Sequence, residues 1–310
     1  MKEDSRTPEE KARSKRTHAL VMMILGGIMA SCALAAGLIA MSPGVFPSWM
    51  TGGWGVRRGE PYRVPEKSRV QFVPFDAMVL ARAQKENRLV LLHLAPAWSS
   101  EARLMEETVY ADAETAEWIA ANLVPASADA EERPDLALSY GVGAWPSTVL
   151  IAPDGRAVAA ASRLTPKLFL PWARLIVNSV RDDPSKTEAL AADAHRRFEA
   201  VRARPEPGPG PHDPVWGGVY RSSREHAKIL SDQASVVLSS DAGRAKAALS
   251  FVENFLSLAG GGYAAAMFGE VLLSDGRIEE GFSYFAKDDA GRRAVGLPAV
   301  DRRLLPGPNA

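Results

Sequence analysis

The residues best placed to do chemistry lie in the stretch LVLLHLAPAWSSEARLM, Leu89 to Met105. An apolar run, Leu89 to Leu94, leads through a short loop into a helix whose first turn carries Trp98, Ser99, Ser100, Glu101 and Ala102. The positive end of a helix stabilises an anionic nucleophile. A serine there also needs a base within hydrogen-bond reach, and His93 is expected to point along the strand rather than into the loop. Helix capping by Ser99 or Ser100, with Glu101 and Glu106 favourable near the helix start, accounts for these residues without catalysis.

Other candidate groups point the same way. Asp129, Glu131, Glu132 and Asp135 form an acidic run, but it lacks the interleaved glycine and spaced closing carboxylate of a divalent-ion loop. Arg133 offers an internal counter-charge, so pairing and capping of a helix at Pro134 is expected. The five histidines, His18, His93, His195, His212 and His226, show no metal-ligand spacing. The single cysteine, Cys32, excludes disulfide stapling, a cysteine-type zinc site and dithiol exchange within one chain. Gly260-Gly261-Gly262 lacks the strand-loop-helix setting of a phosphate cradle and reads as a turn. No metal or cofactor is expected. The balance of 37 basic and 37 acidic residues advertises no nucleic-acid partner.

The elements that position the junction are legible from periodicity. Phe75 to Lys85 reads as a helix, Leu89 to Leu94 as a central strand buried on both faces, and Glu101 to Val109 and Ala113 to Asn122 as helices. Leu123 to Ala126 is expected as a strand and Pro134 to Tyr140 as a short helix with proline in its first turn. A hairpin of Thr148 to Ala152 with Ala157 to Ala161 turns at Asp154-Gly155. Thr165 to Arg181 closes this region as a helix, with Pro171 a potential kink. Thr187 to Arg204 reads as a further helix, and Pro205 to Pro214 as a stiff connector. Ala245 to Leu258 is expected to be helical.

Three segments, Met105 to Asp112, Asp129 to Leu136, and Trp145-Pro146-Ser147-Thr148-Val149 through Pro153-Asp154-Gly155, stand in an order and spacing that resembles the thioredoxin-like family of the spermatogenesis-associated type. The resemblance implies a thioredoxin fold followed by an (α/α) barrel, and a cis bond at Trp145-Pro146. The family's Cys-His-x-Cys-His falls on Ser99, Ser100, Glu101, Ala102 and Arg103. Both sulfurs are therefore missing, at Ser99 and Ala102, and with them the redox chemistry. Asp213, Gly217-Gly218, Tyr220-Arg221-Ser222, Lys228 to Ala234 and Gly296 to Asp301 echo the barrel in shortened form. A full barrel needs about a dozen helices. The expected fold class is α/β: a thioredoxin-like domain at 70–181, with an N-terminal transmembrane helix and a small α-helical segment at 187–310. That segment must bury its apolar face on the domain or on a partner. The surface beside Trp98, Trp145 and Pro146 could hold a peptide by strand addition, or the two tryptophans simply cover the site left by the cysteines.

Residues 1–18 form a polar tail ending in Lys11, Arg13, Lys15 and Arg16, and Ala19 to Met41 carries no charge. At about 1.5 Å per residue this run spans a hydrocarbon core of roughly 30 Å. The basic cluster on its N-terminal side places the tail in the cytoplasm and the main domain beyond the inner membrane, in the periplasm. The run continues apolar past Cys32, unlike a mature lipoprotein N-terminus. Residues 42–69 form an aromatic juxtamembrane linker. Phe46, Trp49, Trp54 and Tyr62 are more apolar surface than a tether needs, so they are expected to bind something.

These features suggest a non-catalytic, membrane-anchored subunit of a larger membrane complex of the respiratory or photosynthetic kind, with the thioredoxin-like domain as docking body and integral-membrane subunits as partners. The alternatives are a periplasmic peptide-binding or chaperone-like assembly factor, and a remnant of a sugar-active enzyme.

Overall fold

Leu89–Ala95 is buried at every position, because it is the middle strand of five. In the computed structural model, which describes residues 68–204, 208–239 and 241–305, the sheet runs β1 (Val73–Pro74), β3 (Leu123–Asp129), β2 (Leu89–Ala95), β4 (Ser147–Ile151), β5 (Ala157–Ser162). β2 pairs parallel to β3 and antiparallel to β4. Alternate residues of β2 feed two cores. Leu89 and Leu91 meet Met105, Ile119, Phe169, Ala173 and Val177 on one face. Val90, Leu92 and Leu94 meet Val79, Ala83, Leu136, Ala194 and Phe198 on the other. The period-2 alternation of a strand makes this division automatic once both faces are covered.

The covering helices are α1 (Ala77–Glu86), α2 (Ser100–Thr108), α3 (Ala113–Asn122), α4 (Pro134–Tyr140), α5 (Pro166–Asp182) and α6 (Lys186–Arg202). Local chemistry sets their ends. Asp76 and Asp112 accept first-turn amides, and Asn87 closes α1 in the left-handed conformation. Pro171 lies inside α5 without ending it. α6, expected as the start of the C-terminal segment, packs on the sheet instead: Ala191 lies in one core and Ala194 and Phe198 in the other. By packing, the sheet domain therefore runs through Arg202 rather than closing at Arg181.

The part after the connector differs from the expected helical segment. It is mixed, with a three-stranded sheet of β6 (Lys228–Ile229), β7 (Ala266–Met267) and β10 (Val300–Asp301), and a hairpin of β8 (Val271–Leu272) and β9 (Ile278–Glu279). Its helices are α7 (Leu230–Ser239), α8 (Ala242–Phe251), α9 (Gly281–Phe285) and α10 (Asp289–Val295), and a π-helical turn, Val252–Leu256, extends α8. Strands of two residues have no readable period, because nonlocal pairing alone makes them strands. Gly217 and Gly218 are both left-handed, and a Cβ on Gly217 would stand 2.5 Å from the Ala247 carbonyl oxygen, so this turn presses directly on α8. The Gln233 side chain extends the pairing, accepting from Val219 N at 2.7 Å and donating to Val219 O at 2.8 Å.

All described residues fall within one compact unit, 57–310. Among them no helix is long and apolar enough to cross a membrane. The expected transmembrane run 19–41, and Phe46, Trp49, Trp54 and Tyr62, lie outside the described residues.

Candidate functional site

The strand-to-helix junction is a capped helix start covered from within the chain. Ser99 Oγ accepts from Ala102 N at 3.2 Å, so Ser99 is the cap. Ser100 is turned to a different partner: its amide and hydroxyl both donate to Glu225 Oε2, at 2.9 and 2.8 Å. A carboxyl group from the C-terminal half thus sits at the positive end of α2, where burial raises its pKa and the two Ser100 donors only partly offset that. One turn on, Arg103 holds Glu270 through Nε and, at 2.7 Å, through Nη2, while Nη1 takes Glu107 at 2.9 Å.

Trp98 is buried and packs with Ala227, Ile229 and Ala266, with Trp145 against the same cluster. The Trp145–Pro146 bond is cis, as expected. The surface at Trp98 and Trp145 is therefore occupied by β6 and β7 of the same chain, and Pro146 is itself buried. The indole of Trp98 donates to Glu131 Oε1 at 3.0 Å, and the other oxygen of Glu131 is buried with no hydrogen-bond partner. Burial, reinforced by Asp129 and Asp301, pushes the Glu131 carboxyl up to about 7, against the indole hydrogen bond and Arg303.

Asp129 organises the loop beneath. Its Oδ1 accepts from Glu131 N and Glu132 N, and its Oδ2 from Ala97 N and from Arg303 Nη2 at 3.1 Å. Arg303 also pairs with Asp301 at 2.5 Å and with Glu132 at 2.8 Å. The acidic run is thus a set of turn and interface contacts, and Arg133 pairs with Asp135 as expected. Among the described residues no group of acidic, histidine or cysteine side chains could hold a metal.

His93 is fully buried on β2, with Nε2 3.0 Å from Glu106 Oε1 and Nδ1 3.4 Å from the Tyr110 hydroxyl. It engages α2 from below and makes no bond to Ser99 or Ser100. Glu106, read from sequence as a favourable charge near the helix start, faces inward instead. The signal was present in its spacing: Ala102, Met105, Glu106 and Val109 share one side of the helix.

A second buried constellation was not anticipated as such, although Asp213 and Lys228 were among the echoes of the barrel; Arg292 carried no signal. Asp213, Lys228 and Arg292 are each wholly buried. Arg292 is bidentate to Asp213 at 2.7 and 3.0 Å, and Lys228 Nζ donates to Asp213 at 2.5 Å and to Gly217 O at 2.8 Å. The Phe251, Tyr220 and Phe285 rings surround the ammonium, and Trp216 and Phe285 flank the guanidinium. Burial lowers the Lys228 ammonium to about 8 in spite of Asp213. Burial opposes ionisation of Asp213, but the two cations outweigh it and hold the carboxyl at about 2. The cluster is closed by its own rings, so it serves as a structural knot.

The Thioredox_DsbH family model, described as protein of unknown function DUF255, matches residues 60–194. No curated protein matches the chain. Among solved structures, the DsbH oxidoreductase is similar at 13% identity with a TM-score of 0.33, covering 39% of this chain and 93% of its own. A thioredoxin from Thermus thermophilus is similar at 24% identity with a TM-score of 0.32, covering 34% and 86%. A candidate disulphide isomerase from Bacteroides thetaiotaomicron is similar at 24% identity with a TM-score of 0.33, covering 37% and 98%. Over residues 60–194 the family match and the sheet topology support a thioredoxin-like domain.

Proposed function

We propose that the protein is a non-catalytic, membrane-anchored accessory subunit that uses its thioredoxin-like domain as a docking body in a larger membrane complex. The observation that carries this reading is the occupation of the cysteine-less junction by Glu225, Ala227, Ile229 and Ala266 of the same chain. A redox or chaperone protein of this fold works through that surface, and here it is spent on internal packing. The apolar run 19–41 and the aromatic linker 42–69 support an anchor in the inner membrane, with the N-terminus cytoplasmic and the domain periplasmic. The C-terminal half reads as a shortened relative of the spermatogenesis-associated barrel, in which the echoes Asp213 and Lys228 belong to the buried knot. Its closed core favours neither peptide capture nor sugar turnover.

Purification of the tagged full chain from detergent-solubilised membranes tests this. The expected result is stoichiometric recovery with an integral-membrane complex. Recovery with a changing set of substoichiometric polypeptides would instead make it an assembly factor.

A further inference from the structure

The seam between the thioredoxin-like domain and the C-terminal half is rich in carboxylates facing one another. On the domain side stand Asp129, Glu131 and Glu132; on the other stand Glu225, Glu270 and Asp301. Two arginines bridge them. Arg303 takes Asp129, Glu132 and Asp301, and Arg103 takes Glu270 and Glu107. Neither arginine hydrogen-bonds Glu131 or Glu225. Glu131 receives the Trp98 indole on one oxygen, while the other is buried and unpartnered. Glu225 receives the Ser100 amide and hydroxyl, and more weakly the Ala227 amide at 3.3 Å. His226, the next residue, stacks on Phe285 and has Tyr220 and Phe282 beside it.

We propose that residues 208–305 form a proton-controlled cover on the cysteine-less junction, closed when Glu131 and Glu225 are protonated and loosened as they ionise. Each carboxyl takes a proton from solvent on closure and returns it on opening. Burial sets the direction: it leaves one Glu131 oxygen without a partner and outweighs the donors that Ser100 and Ala227 offer Glu225. Closure takes both groups partly out of water in a seam already holding Asp129, Asp301 and Glu270, so ionising them adds like charge where solvent screens it less. Burial raises Glu131, Glu225 and Asp129 alike, with Glu270 adding to the effect on Glu225. His226 is shifted the other way, toward the neutral form, mainly by burial. In the open form the two glutamates regain ordinary carboxyl behaviour. The closed form thus binds protons more tightly, and closure is strongest below the ordinary carboxylate range and weakens as pH rises toward about 7. Opening is a rare loosening of the seam, so the junction stays covered in the dominant state at either pH. Both faces belong to one chain, so the inference holds whatever the partner complex is.

Hydrogen–deuterium exchange on the full chain in detergent, corrected for intrinsic exchange rates, tests it. Between pH 5 and pH 8, opening at residues 97–103 and 225–230 is expected to rise about 10- to 100-fold, while β2 and β3 stay constant. The Glu131→Gln, Glu225→Gln double variant should remain slow at both pH values. A flat or inverted pH dependence in the unmodified protein overturns the proposal. So does a parallel change in β2 and β3, which would mean loosening of the whole domain. A variant that folds yet keeps the original slope overturns the assignment to these two groups.

Discussion

At the scale of single residues, buried charges define the C-terminal half. Asp213 is the shared partner of Lys228 and Arg292, all three without solvent access. Removing one member of such a set leaves uncompensated buried charge, which costs about 3–5 kcal/mol. Asp213→Ala should therefore destabilise the C-terminal half by about that amount, read as a shift in its denaturant midpoint. The pH dependence has a definite sign. Lys228 sits at about 8 in the folded chain against an ordinary 10.5, so the folded state binds fewer protons in that window. Stability should rise as pH climbs from about 8 to 10.5. Lys228→Met should lack this increment, and equal slopes for the two proteins would remove Lys228 as its source.

At the scale of elements, the first turn of α2 is where lost chemistry and retained architecture meet. Ser99 and Ala102 are buried neighbours joined by the cap bond, the relation a dithiol pair would need. The unmodified chain should show no insulin reduction above background. With Ser99→Cys and Ala102→Cys, the register predicts an oxidisable pair, detected as loss of alkylation in the unfolded, non-reduced protein. Both positions are buried, with Glu225 bonded to the adjacent Ser100 and β6 packed on Trp98, so native alkylation of the reduced form should be slow and should quicken when Glu225 is replaced by alanine. Failure to oxidise would show that the two positions do not meet as the helix start implies.

At the scale of the whole molecule, the internally occupied junction shifts attention to segments outside the described residues. Phe46, Trp49, Trp54 and Tyr62 lie between the apolar run and the folded domain. Aromatic anchors in desolvated pockets commonly cost about 2 kcal/mol or more on truncation, roughly thirty-fold in affinity. Trp49→Ala with Trp54→Ala should release the protein from its complex while the thioredoxin-like domain keeps its melting temperature. Unchanged retention would leave the segment as a membrane-surface spacer. A reporter fused after Arg202 should be active on the periplasmic side; activity confined to the cytoplasm would reverse the topology.

The sequence by itself determined the thioredoxin-like half, because each of its elements carries a local signal. The all-apolar β2, the Asp154-Gly155 hairpin, Pro134 in the first turn of α4 and the Trp145-Pro146 loop are readable from neighbours a few residues apart. It also determined the absence of an intrachain dithiol, by counting. Tertiary structure alone decided what fills the junction. Ser100 meets Glu225, Arg103 meets Glu270 and Asp129 meets Arg303 across more than a hundred residues, and no periodicity encodes such distances. The same holds for α6, whose helix was legible but whose place on the sheet was not. The two-residue strands β6, β7 and β10 follow this rule too, since their pairing is created by the packing that brings them together. His93 and Glu106 stand between these cases: each was visible as a polar residue among apolar ones, and only the stacking of α2 on β2 joined them.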